Sequence, residues 1–182
     1  MIFGLFKNSD DQKSIAKALY DQIVAQARQP EFYLSYNVAD STTGRFEMII
    51  MHLYMFSHRL RFESEDKRQI GQAVFDYFMK DMDASLREQG VGDLSVPKKI
   101  KKMAEAFYGR LDAYDKARAE SREALAAALS RNIYPDDEET KPQAYAIADY
   151  MLANETHLAS QTTEAFAEGR LQFAGIAKYP EN

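Results

Sequence analysis

The chain contains no cysteine in its 182 residues. That excludes disulfides, thiolate metal sites and a cysteine nucleophile, and it is compatible with a reducing compartment. No apolar run approaches the roughly 20 residues that a membrane-spanning helix needs. Basic residues are not in excess. The net charge is −5, which argues against a broad nucleic-acid-binding face and against DNA as a partner. Histidine is scarce, and His52 and His58 stand on different sides of any one helix rather than as the i, i+4 pair that chelates a metal. There is no His-Glu-x-x-His motif, and Gly90-Val91-Gly92 is an isolated glycine pair without a phosphate-loop lysine. From these residues no metal, no cofactor and no catalytic constellation is expected.

The opening "MIFGLFKNSD" has too short an apolar run and no basic leader for a signal peptide, and it lacks the arginines of a mitochondrial transit peptide. The expected location is cytoplasmic. Ile2, Phe3, Leu5 and Phe6, followed by Lys7, are candidates for contact with a membrane interface, on the inner face of the cytoplasmic membrane. The competing reading is that they fold onto the domain's own core or stay disordered.

What is present is helix. Hydrophobic residues make up 46% of the chain and aromatics 12%, ample for a core, and each of the five prolines stands where a helix should begin or end. Apolar residues at Ile15, Ala18, Leu19 and Ile23 predict a helix from Asp10 to Arg28, stopped by Pro30. One helical turn is expected at Pro30–Tyr33. "TTGRFEMIIMHLYMFSHRLRF" is apolar on nearly all sides and predicts a central buried helix. A long helix from Ser64 and Glu65 to Gln89 carries Ile70, Val74, Phe75, Phe78, Met79, Met82 and Leu86 on one stripe, with Gly90 as its positive-φ terminator. Ser95 is the expected N-cap of the next helix, which buries Ile100, Met103, Ala104, Phe107, Leu111 and Tyr114. Ser121 should cap "REALAAALSRN", Thr140 and Pro142 should open another helix with Ala144, Ile147, Ala148, Met151 and Leu152 inward, and "TTEAFAEGRLQF" should close with a short one. No strand alternation, repeat or linker is visible. The expectation is one all-α domain over residues 1–182, of about six or seven helices in bundle-like packing, with 1–9 and 174–182 flexible.

Two clusters invite chemistry. Met51, His52 and Met55 resemble haem axial ligands, but methionine as a core gap-filler is the stronger reading. Arg45, Glu47 and His52 are read as a buried polar network that fixes helix packing. Asp76, Asp81 and Asp83 do not converge on one site, and a solvated acidic face accounts for them better than acid–base catalysis. The remaining puzzle is Lys98, Lys99, Lys101 and Lys102. They crowd the first turns of a helix, where the macrodipole disfavours cations by a few tenths of a kcal/mol each. Asp81, Asp83, Glu88 and Asp93 across a tight hairpin would offset that cost locally. An acidic peptide, an anionic lipid or RNA would offset it from outside.

Several strings carry a resemblance: "ARQPEFY" (27–33), "GRFE" (44–47) followed by His52, "DMDASLREQGVGDLSVPKKIKKM" (81–103), "FYGRLDAY" (107–114) and "ALSRN" (128–132). In this order they resemble the ubiquinol–cytochrome c chaperone family, strongest over residues 27–132. Asn37-Val38-Ala39-Asp40 replaces the family's Gly-Val-Pro-Asp turn, and asparagine tolerates the positive φ such a turn needs. The resemblance implies a non-enzymatic, bacterial-type chaperone that binds newly made cytochrome b for assembly of the respiratory reductase. A ribosome or a small partner protein is implied by the mitochondrial members. Lys98, Lys99, Lys101, Lys102, Tyr108, Arg110, Asp81, Asp83 and Asp93 are the expected client or partner surface. Arg110 has an alternative use, an ion pair to Asp81 or Asp83 across the hairpin. The competing functions are a peripheral membrane adaptor and a haem-binding carrier.

Overall fold

The structure, a computed structural model, describes residues 9–136 and 141–177. Eight helices follow one another among them: α1 Ser9–Ala27, α2 Pro30–Leu34, α3 Thr42–Leu60, α4 Glu65–Glu88, α5 Val96–Glu120, α6 Arg122–Ile133, α7 Pro142–Ala159 and α8 Thr163–Ala167. Six are long and two have five residues. No strand occurs among the described residues. The all-α single-domain expectation is therefore met.

Packing is organised by α3. Its sequence has no continuous polar face to turn toward water, so other helices must cover it. It packs against α1, α4, α5, α6 and α7, and Met48, Ile50, Met51, Leu53 and Phe56 are fully buried on it. Ser41 caps it, its hydroxyl accepting the Gly44 N–H at 3.1 Å. Gly44 has to be glycine: a Cβ there would stand 2.0 Å from the Ala39 carbonyl oxygen. The preceding turn places Asn37 at φ 54°, the left-handed conformation its side chain tolerates.

The stripe on α4 buries Ile70, Val74 and Phe78, and Gly90 ends that helix at φ 79°. The stripe on α5 is buried only in part. Phe107 and Tyr114 enter the core, while Ile100 and Met103 are half-buried and stand apart from it. Val96 is fully buried yet also outside the main core.

Ser121 both ends α5 and caps α6, accepting the Ala124 N–H at 3.0 Å. On α7 the inward set is Ala144, Ile147, Ala148, Tyr150, Met151, Asn154 and Leu158, and Leu152 is only half-buried. Thr140, expected to open this helix, lies outside the described residues, as do Ile2, Phe3, Leu5 and Phe6. Toward the end of the described residues the Ala174 N–H donates to Asn154 Oδ1 at 2.8 Å and Tyr36 donates its hydroxyl to the Ala177 carbonyl at 2.6 Å. Leu171 is buried just before them.

Candidate partner-binding surface

The surface is built on α5. At its start Ser95 occupies the cap position, but with φ −93° and ψ −28°, and its hydroxyl caps nothing. Lys98, Lys99, Lys101 and Lys102 follow, all exposed. The expected local offset is missing. Asp81 accepts the Tyr20 hydroxyl at 2.9 Å, and Arg87 takes both Asp83 at 2.6 Å and Asp93 at 2.5 Å. Lys101 reaches Glu105 at 3.8 Å, while Lys98, Lys99 and Lys102 form no ion pair among the described residues. Asp81, Asp83 and Asp93 are thus spent on neighbours other than the lysines. Leu94, 90% exposed, stands beside this cationic turn.

Further along α5 lies an open groove of about 620 Å³ with walls from α4 and α5 and a floor from the end of α3. Phe75, Phe107, Tyr108 and Leu111 make its apolar walls. Phe75 and Tyr108 meet at 5.4 Å between ring centroids, yet Tyr108 stays 55% exposed. Phe62, just past α3, is 82% exposed and edge-on to His58, which itself lines the groove. Asp115 accepts the Tyr54 hydroxyl at 3.0 Å and an Arg61 guanidinium N–H. His58 Nε2 has no hydrogen-bond partner and lies 3.9 Å from Asp115. Burial first, and the nearby Arg118 second, push the His58 pKa down, so the groove wall holds a neutral imidazole.

Arg110, expected on the exterior, turns inward. Its Nη2 donates to Glu47 Oε1 at 2.7 Å and its Nε to Oε2 at 3.2 Å. Glu47 is 3% exposed, so its charge is tolerated because this guanidinium binds it with two hydrogen bonds. The pairing corrects two expectations. Arg110 bridges neither Asp81 nor Asp83, and it is not an exposed anchor for a partner.

Arg45, Glu47 and His52 do not form one network. Arg45 donates to Asp40 at 2.6 Å on the exposed edge, while Glu47 pairs with Arg110. Both nitrogens of the fully buried His52 are engaged. Nδ1 lies 2.8 Å from the Met48 carbonyl, which can only accept, so Nδ1 carries the proton. Nε2 therefore accepts the Tyr150 hydroxyl at 3.0 Å, and Tyr150 in turn accepts from Gln26 at 2.9 Å. Phe32 and Phe173 close edge-on over the ring, and burial pushes its pKa down to about 4. The histidine–methionine face is packed core. No group of side chains suited to hold a metal occurs among the described residues.

Sequence reasoning missed Phe62, which follows the periodic part of α3, and Leu94, which sits in a turn. Their exposure depends on neighbouring helices. It also missed Tyr150 and Asn154, polar side chains that periodicity alone does not place inward.

Residues 34–173 match the family model described as ubiquinol-cytochrome C chaperone. The chain belongs to this family. The chaperone-family relatives include ubiquinol-cytochrome c reductase complex assembly factor 1 of Mus musculus, 23% identical over 152 residues, covering 84% of this chain and 52% of that protein. The Homo sapiens protein of the same name is 24% identical over 122 residues, covering 67% of this chain and 41% of that protein. The chain thus spans about half the length of the curated relatives it matches. The crystal structure of the Cbp3 homolog from Brucella abortus superposes with a TM-score of 0.82 at 41% identity, covering 92% of this chain and 93% of that one. Among the described residues no helix is long and apolar enough to cross a membrane.

Proposed function

We propose that the protein is a non-enzymatic assembly chaperone that binds newly made cytochrome b and supports assembly of the ubiquinol–cytochrome c reductase. Family membership over residues 34–173 carries this reading. The surface is consistent with it. Lys98, Lys99, Lys101 and Lys102 are held exposed at a helix start that disfavours them, and Asp81, Asp83 and Asp93 are engaged with other residues. Such a cluster orients a charged partner more than it stabilises the fold. Exposed apolar side chains at Leu94, Phe62 and Tyr108 suit a client that is itself apolar. The site of action is the cytoplasmic face of the membrane, with a ribosome or a small partner protein as further contacts.

The test is an affinity pull-down of tagged protein from gently solubilised membranes of its own host, probed for cytochrome b. Recovery of cytochrome b without the mature reductase supports the reading. A folded, membrane-associated protein that brings down no cytochrome b overturns it.

Leu94 beside the lysines favours a second reading, a peripheral membrane adaptor. Sedimentation with anionic vesicles separates the two: an adaptor sediments without its client, and a chaperone that docks only on its client stays in solution.

A further inference from the structure

A small cavity lies where α3, α5 and α7 meet, sharing Tyr54 and His58 with the wall of the groove. Its volume is about 20 Å³. One water needs about 10–15 Å³, so the space admits one water and not a second. Met55, Met151 and Leu152 supply apolar wall, while His58, Arg118 and Glu155 bring polar atoms to it.

Two of those atoms are left over by the protein's own hydrogen bonds. His58 Nε2 and Arg118 Nε are both buried, and neither has a partner among the described residues. Asp115, 3.9 Å from His58 Nε2, is beyond hydrogen-bond reach. Arg118 spends Nη1 on Glu155 at 2.7 Å, which leaves its Nε–H unused. Folded proteins rarely leave two such buried groups unpaired in one place.

The chemistry of these atoms selects what joins them. Arg118 Nε–H can only donate. The neutral imidazole accepts at Nε2 when its proton is on Nδ1, and donates there in the other tautomer. A cation has no acceptor lone pair to offer the guanidinium. An anion serves only one tautomer, and it would stand against the Glu155 carboxylate. Water serves both tautomers and keeps a hydrogen for Glu155.

We propose that this cavity binds one water molecule, which accepts the Arg118 Nε–H, bonds His58 Nε2 and donates to Glu155. The water ties α3, α5 and α7 together at one point. Because His58 also lines the groove, the tie fixes that part of the groove wall from inside.

Oxygen-17 water relaxation dispersion on the full chain counts water molecules held long enough to tumble with the protein. Arg118→Met removes the Nε–H and His58→Phe removes Nε2, each at similar side-chain size. Each variant should hold one long-lived water fewer than wild type, with its helical circular dichroism retained. An unchanged count in a folded variant overturns the proposal. A crystal structure of the full chain soaked in bromide gives a second readout that needs no variant. Density for one water within about 3.2 Å of both nitrogens is the expected result. Anomalous bromide density in the cavity overturns water in favour of an anion. An empty cavity, or a protein atom bonded to either nitrogen, overturns the site itself.

Discussion

Arg110 and Glu47 show how one contact changes a residue's role. A carboxylate 3% exposed would be costly alone, and the guanidinium from α5 removes that cost with two hydrogen bonds. Arg110→Ala should therefore destabilise by about 2–3 kcal/mol, somewhat less than the roughly 3–5 for breaking a fully buried pair, because Arg110 retains some solvent contact. Replacing both partners with leucine should recover much of the loss. Denaturant midpoints for the two variants check this, and a loss under about 0.5 kcal/mol in Arg110→Ala would refute it. His52 makes a second prediction, for pH. Its folded pKa is depressed to about 4 from 6.5, so the unfolded chain takes up the proton first as pH falls. This contribution is fully present above pH 6.5 and is lost progressively between 6.5 and 4, up to about 3 kcal/mol. Unfolding midpoints at pH 7.5 and 5 should differ accordingly, and His52→Gln should shrink the difference.

At the scale of the element, α5 is a helix with an unfavourable beginning. Its hydroxyl cap is unused and four lysines face the positive end of the dipole. Replacing Lys98, Lys101 and Lys102 together with alanine should leave the fold intact. It should raise stability by a few tenths of a kcal/mol per residue, since alanine also has the better helix propensity. The same variant should lose cytochrome b in the pull-down. Retained capture would mean that the lysines serve neither client nor fold. The extent of α5 was readable from Pro97 and from Phe107, Leu111 and Tyr114. Its partial burial was not, because periodicity marks an apolar face without saying how far a neighbouring helix covers it.

Across the whole molecule, the segment after α8 closes the core. Leu171 is buried, Phe173 lies edge-on to His52 at 5.0 Å between ring centroids, and Gln22 accepts the Leu171 N–H at 2.8 Å. A chain ending at Arg170 should lose at least about 3 kcal/mol, from two apolar side chains and the polar atoms left unpaired on Gln22 and Asn154. Thermal melting checks this, and an unchanged midpoint would show that the segment is dispensable.

Amino-acid order alone determined the helical class, the central place of α3 and the start of nearly every helix. These rest on apolar spacing, proline and capping residues acting within a few positions of one another. The motif strings pointed to the family, and the positive φ of Asn37 and Gly90 was legible for the same local reason. Only the tertiary structure decided that Arg110 meets Glu47, 63 residues away, that Tyr150 donates to His52 across 98 residues, and that α3, α4 and α5 leave a groove between them. Those outcomes depend on how helices are placed against one another, which is set by the packing of the whole core and not by any local pattern.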